Sequence, residues 1–137
     1  MQKGWLLIVM IIFILGITGC GNDLLDGKEI VNVRMECADE CKPMKPSSIK
    51  EGDMTYEKTD ELNVFERAIT RAKLIKGELD YGVFFYMHLM LDDGSQRKFV
   101  LNITDEDGRT ALLVDTDSGK GYAIPENLTE ELRAIIW

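Results

Sequence analysis

The sequence predicts an α+β domain: a mainly antiparallel meander sheet of about five or six strands, one amphipathic helix packed on it and a short C-terminal helix. Three observations carry this. Short stretches alternate apolar and polar residues between acidic, glycine-containing turns; one longer stretch has the period of a helix; and no repeated strand-helix-strand pattern is present.

From Ile30 the chain alternates, with Val31, Val33, Met35 and Cys37 on one side and Asn32, Arg34 and Glu36 on the other, as in a half-buried strand. Residues 38–52, with Pro43, Pro46 and Gly52, read as a loop, and Met54 to Glu57 as a short strand. A helix is expected from Glu61 to Lys76, where Leu62, Phe65, Ala68, Ile69, Ala72 and Ile75 form one stripe. Thr59 or Asp60 would cap its start and Gly77 would stop it. Val83 to Leu91 is a run of apolar and aromatic residues broken by His88; Arg97 to Ile103, Thr110 to Val114 and Tyr122 to Ile124 follow as strands, separated by turns at Asp92-Asp93-Gly94, Asp105-Glu106-Asp107-Gly108 and Ser118-Gly119. Asn127 and Glu130 have capping-box spacing before a last helix with Leu128, Leu132, Ile135 and Ile136 on its apolar side.

The first twenty residues have a different layout. Lys3 precedes an apolar run from Trp5 to Leu15, and Ile17-Thr18-Gly19 leads to Cys20. The run is too short for the roughly 20 residues of a membrane-spanning helix. The stretch resembles the bacterial lipoprotein signal. That resemblance implies cleavage after residue 19, lipid on the Cys20 sulfur, and residence on the outer surface of the cytoplasmic membrane. Residues 20–29 are then expected as a short lipidated tether and residues 30–137 as a single domain.

The 137-residue chain carries a formal charge of −8, and Lys3 is the only charged residue before Cys20. Acidity of this degree argues against nucleic acid and against a polybasic grip on anionic lipid, since both require clustered Lys and Arg. Of the three cysteines, lipid on Cys20 would leave Cys37 and Cys41. Three readings are open for this pair: a small structural disulfide clip, redox-active thiols, or a soft-metal site with Met35 and Met44, since thiolate and thioether select Cu(I). The spacing of the pair, with a remote His88, resembles the copper site of the SCO assembly proteins, but the thioredoxin-type pattern of that family is missing here. Calcium and phosphate motifs fail at the acidic turns and at Gly119-Lys120, and no hydrolytic triad or zinc protease motif is present. A cofactor is not expected, nor is an enzyme.

Phe84, Tyr86, His88 and Met90 line one side of the longest strand, opposite the apolar set, and form the candidate binding face for a protein or small ligand. Either the 38–52 loop or the C-terminal helix covers this face, or it is exposed. The phrase VFERAITRAKLIKG at Val64 to Gly77, the GYAI strand at Gly121 to Ile124 and the ELRAII helix at Glu131 to Ile136 resemble the YhfM-like lipoproteins of Bacillus and relatives over residues 50–137. That resemblance implies a domain shape and a surface location, and no activity.

Overall fold

The computed structural model describes residues 21–38 and 53–137. The alternating stretches become seven strands: β1 (Ile30–Cys37), β2 (Asp53–Tyr56), β3 (Lys73–Leu74), β4 (Phe85–Leu91), β5 (Gln96–Asn102), β6 (Leu112–Asp115) and β7 (Gly121–Ala123). Two helices complete the fold, α1 (Thr59–Thr70) and α2 (Glu126–Ile136). All pairings are antiparallel, and the strand order is β2-β1-β4-β5-β6-β7-β3. The α+β class is as expected, but the sheet has seven strands and only β4 to β7 run as a meander.

One face of the sheet carries the core. Val33, Met35, Phe85, Met87, Leu89, Phe99, Leu101 and Leu113 are buried on it, under Leu62, Phe65, Ala68 and Ile69 of α1 and Leu128, Leu132 and Ile136 of α2. Burying a side chain of this size contributes roughly 1.5–3 kcal/mol, so either helix is held mainly by its stripe and not by its intrinsic propensity. The helices also join each other, through the paired Arg67 and Glu131 side chains. Trp137, just after α2, meets the Phe85 ring edge-on at 6.2 Å.

Four local expectations are corrected. In β1 a bulge between Ile30 and Asn32 makes Val31 the extra residue, so Ile30 and Val33 are buried while Val31 is 46% exposed. The first helix begins at Thr59 without a side-chain cap and stops at Thr70. Its apolar period continues through Ala72 and Ile75, but Lys73 and Leu74 have left it to pair with Ala123 and Tyr122 at the sheet edge. Gly77, at φ +98°, serves the loop beyond. At α2 the cap position is Pro125, and Glu130 accepts from the Gly108 N–H and Arg133 instead of closing a capping box.

The stretch expected as a tether is docked from Asn22 onward. Its side-chain amide donates to Ile69 O at 2.6 Å and Ala72 O at 2.8 Å, and its backbone N–H donates to Thr70 O. These carbonyls lie at and just beyond the end of α1, where i+4 donors run out, and Ile69 O also accepts from Ala72 N–H. Leu24 and Leu25 are buried in the core, and Leu24 O accepts from Arg97 Nη1, whose guanidinium also reaches the buried Asp115.

The connection from β3 to β4 must travel from one edge of the sheet to its centre. It passes over the face away from the helices. Leu79 lies on Gly121, where an added Cβ would stand 2.0 Å from Leu79 Cδ1. Asn102 ties down the far end, donating to Gly82 O and accepting from Phe84 N–H. Residues 75–84 thus form a strap over the β5–β7 half of that face, where Val100 and Val114 are buried apart from the main core.

Candidate outer-face site on β1, β4 and β5

The period of two along β4 divides its side chains as the sequence implies. Phe85, Met87, Leu89 and Leu91 face the helices, and Tyr86, His88 and Met90 face away. Phe84 precedes the strand and packs, partly buried, against the core, so it is separated from the other three.

The sheet register supplies neighbours that the sequence alone does not pair. His88 stands opposite Arg34 on β1 and Lys98 on β5; Tyr86 stands opposite Glu36 and Val100. His88 Nε2 lies 3.1 Å from Glu36 Oε2, and Arg34 Nη1 lies 3.8 Å from the same oxygen. Lys98 Nζ sits 4.0 Å from the centroid of the Tyr86 ring, a cation–π geometry. Met90, 39% exposed, is beside Asn32 and next to the bulged Val31. The result is a polar and aromatic patch with an apolar end, half-exposed and built on three central strands. Histidine, carboxylate and guanidinium meet there. The arrangement suits recognition through stacking, hydrogen bonds and charge.

The strap explains why this patch ends where it does. It covers the β5–β7 half of the face and leaves the β1–β4–β5 half. Sequence reasoning left this face either covered, by the 38–52 loop or the C-terminal helix, or exposed; α2 lies on the other face, and residues 39–52 lie outside the described residues.

The cysteine readings are narrowed. Cys37 ends β1 opposite Phe85, and Cys20, Cys41 and Met44 lie outside the described residues. Cys37 is the one cysteine among the described residues and is disulfide-bonded, its partner lying outside them. The strand β1 itself is fixed by β2 on one side and β4 on the other. Met35 is fully buried in the core and is not placed to serve a surface metal. Among the described residues no group of three or more His, Cys, Asp or Glu side chains is placed to hold a metal ion. Likewise, no described helix is long and apolar enough to cross a membrane.

A shallow hollow of about 670 Å³ beside β2 is lined by Met54, Tyr56, Lys58, Glu61 and Ile135. Burial, with Glu61 nearby, raises the Tyr56 phenol above its ordinary range, so the hydroxyl stays neutral; its contact is Met54 Sδ at 3.6 Å. This is the environment of a packed tyrosine. Comparison with known proteins returns no matching family model, no matching curated protein and no matching solved structure.

Proposed function

We propose that the protein is a lipoprotein held on the outer face of the cytoplasmic membrane through lipid on Cys20, and that its domain is a non-enzymatic binding module. The anchoring half of this reading rests on Ile17-Thr18-Gly19-Cys20 and the apolar run before it. The observation that supports the binding half is the half-exposed Tyr86, His88 and Met90 row, joined by Glu36, Arg34 and Lys98 on the side of the sheet away from the helices. The resemblance to the YhfM-like lipoproteins agrees with the address and adds no ligand.

In-cell cross-linking of the Cys20-anchored protein, followed by recovery from native membranes, tests both halves. A specific partner is expected with the wild-type chain and is expected to fall at least about tenfold with a Tyr86→Ala, Met90→Ala double variant, the loss of an aromatic anchor and its neighbour. Equal recovery with the variant, or no enriched partner at all, would sink the binding reading. Cys20→Ala separately tests the anchor: the variant is expected to leave the membrane fraction, and its retention there counts against lipidation.

A further inference from the structure

A second surface lies where the described chain begins. Gly21 lies against Thr70, a Cβ on it being 3.4 Å from Thr70 O, and Asn22 binds Ile69, Thr70 and Ala72. Covalent geometry puts the preceding Cα only about 3.8 Å from that of Gly21. The next residues after this contact are the β3 edge, Lys73 and Leu74, and the start of the strap.

That edge differs from the rest of an acidic molecule. Arg71, Lys73, Lys76 and Lys120 are exposed there, against two carboxylates, Glu78 and Asp80, in the same segments, whereas the whole chain has a charge of −8. Leu74 and Tyr81, 53% and 38% exposed, are two of only four large apolar side chains exposed among the described residues. Both line one hollow of about 700 Å³ with Lys76, Lys120 and the Glu78 carboxylate. Exposed leucine and tyrosine ringed by lysine is the composition that sits at a lipid headgroup boundary, the ring and aliphatic chain entering it while the ammonium groups meet phosphate.

We infer that the β3 edge, with Lys73, Leu74, Lys76, Tyr81 and Lys120, docks on an anionic phospholipid leaflet. The inference rests on the lipid-anchored reading above for what brings the edge to the bilayer. Because Asn22 is bound to the end of α1, an anchor at residue 20 holds this edge toward the membrane. The strand order then puts β2 and β1 at the far side of the sheet, six and five inter-strand spacings or roughly 29 and 24 Å from β3. The negative total charge argues against a membrane grip when the chain is summed; the fold concentrates the exception on one edge.

The test is hydrogen exchange on the full lipidated protein reconstituted in phosphatidylglycerol-containing vesicles and in pure phosphatidylcholine vesicles. Amides of residues 75–82 and 119–121 are expected to exchange about tenfold more slowly on the anionic vesicles, and those of the Asp92 to Ser95 turn equally on both. Lys76→Glu with Lys120→Glu, both exposed, is expected to abolish the difference. Equal exchange on the two vesicles, or protection that survives the charge reversal, would overturn the proposal. Flotation with pure phosphatidylcholine reports the anchor alone: its absence refutes lipidation, while the anionic-minus-neutral difference judges the edge.

Discussion

The Asn22 side-chain amide donates to two backbone carbonyls from residues 47 and 50 positions further on, and its Oδ1 accepts from Leu24 N–H. Removing the amide leaves the end of α1 with carbonyls short of donors, and a net of about 1 kcal/mol per hydrogen bond gives a loss of roughly 1–3 kcal/mol for Asn22→Ala. A shift of the urea midpoint with unchanged slope, together with faster protease cutting in residues 21–29, is the expected outcome; an unchanged midpoint would show that the docking contributes nothing to stability. Thr129 performs a comparable task inside the molecule. Fully buried, its hydroxyl accepts from Ala111 N–H and faces the carbonyls of Ile124 and Pro125, so the approach to β6 and the start of α2 share one polar atom. Arg133 fixes the neighbouring turn by donating to Thr104 O and Arg109 O. Neither role is visible in sequence, where Thr129 and Arg133 look like the solvent side of an amphipathic helix.

Among the elements, the strap rests on a close contact between Leu79 and Gly121. At Gly121 a methyl group would collide with the tip of Leu79, while the backbone itself is ordinary. Gly121→Ala is expected to cost about 1–3 kcal/mol by overpacking, and Leu79→Ala in the same chain to recover part of it. A double-mutant cycle by chemical denaturation measures that coupling, and strictly additive losses would mean that the strap does not rest on Gly121 in solution. The elements also show what was legible. Strands β4 to β7 and both helices follow from period and turn residues, because each is a local pattern. The end of α1 does not, since the apolar period runs on and the group that receives the chain there is Asn22. A two-residue strand such as β3 has no period to read, and the bulge at Val31 has no glycine or proline to mark it. For the outer-face site, Tyr86, His88 and Met90 were readable from alternation, whereas Glu36, Arg34 and Lys98 required the register, and the separation of Phe84 required the start of β4.

Across the whole molecule, several carboxylates are held below their ordinary range. Hydrogen bonds from Ser95, then Lys28, hold Asp93 down; Arg133, then the Gly108 N–H, does this for Glu130; and Arg67 for Glu131. A depressed folded-state pKa means that the unfolded chain binds protons first as pH falls. Their contribution is therefore complete above the ordinary values of 4.5 for the glutamates and 3.8 for the aspartate, and it is lost as pH drops below them. Denaturation midpoints should be level between pH 6 and 7, to about the width set by these groups, and fall from about pH 4.5 downward. Stability that held constant to pH 3 or so would contradict these pairings.

The position of α2 has a consequence for the order of events in synthesis. Leu128, Leu132 and Ile136 close the core over strands made up to about a hundred residues earlier, and Trp137 follows onto Phe85. Until those residues leave the ribosome, the helix-facing side of the sheet has only half its cover. A chain that has not yet produced α2 lacks a finished core, so the sheet and α1 wait on the last element for their packing.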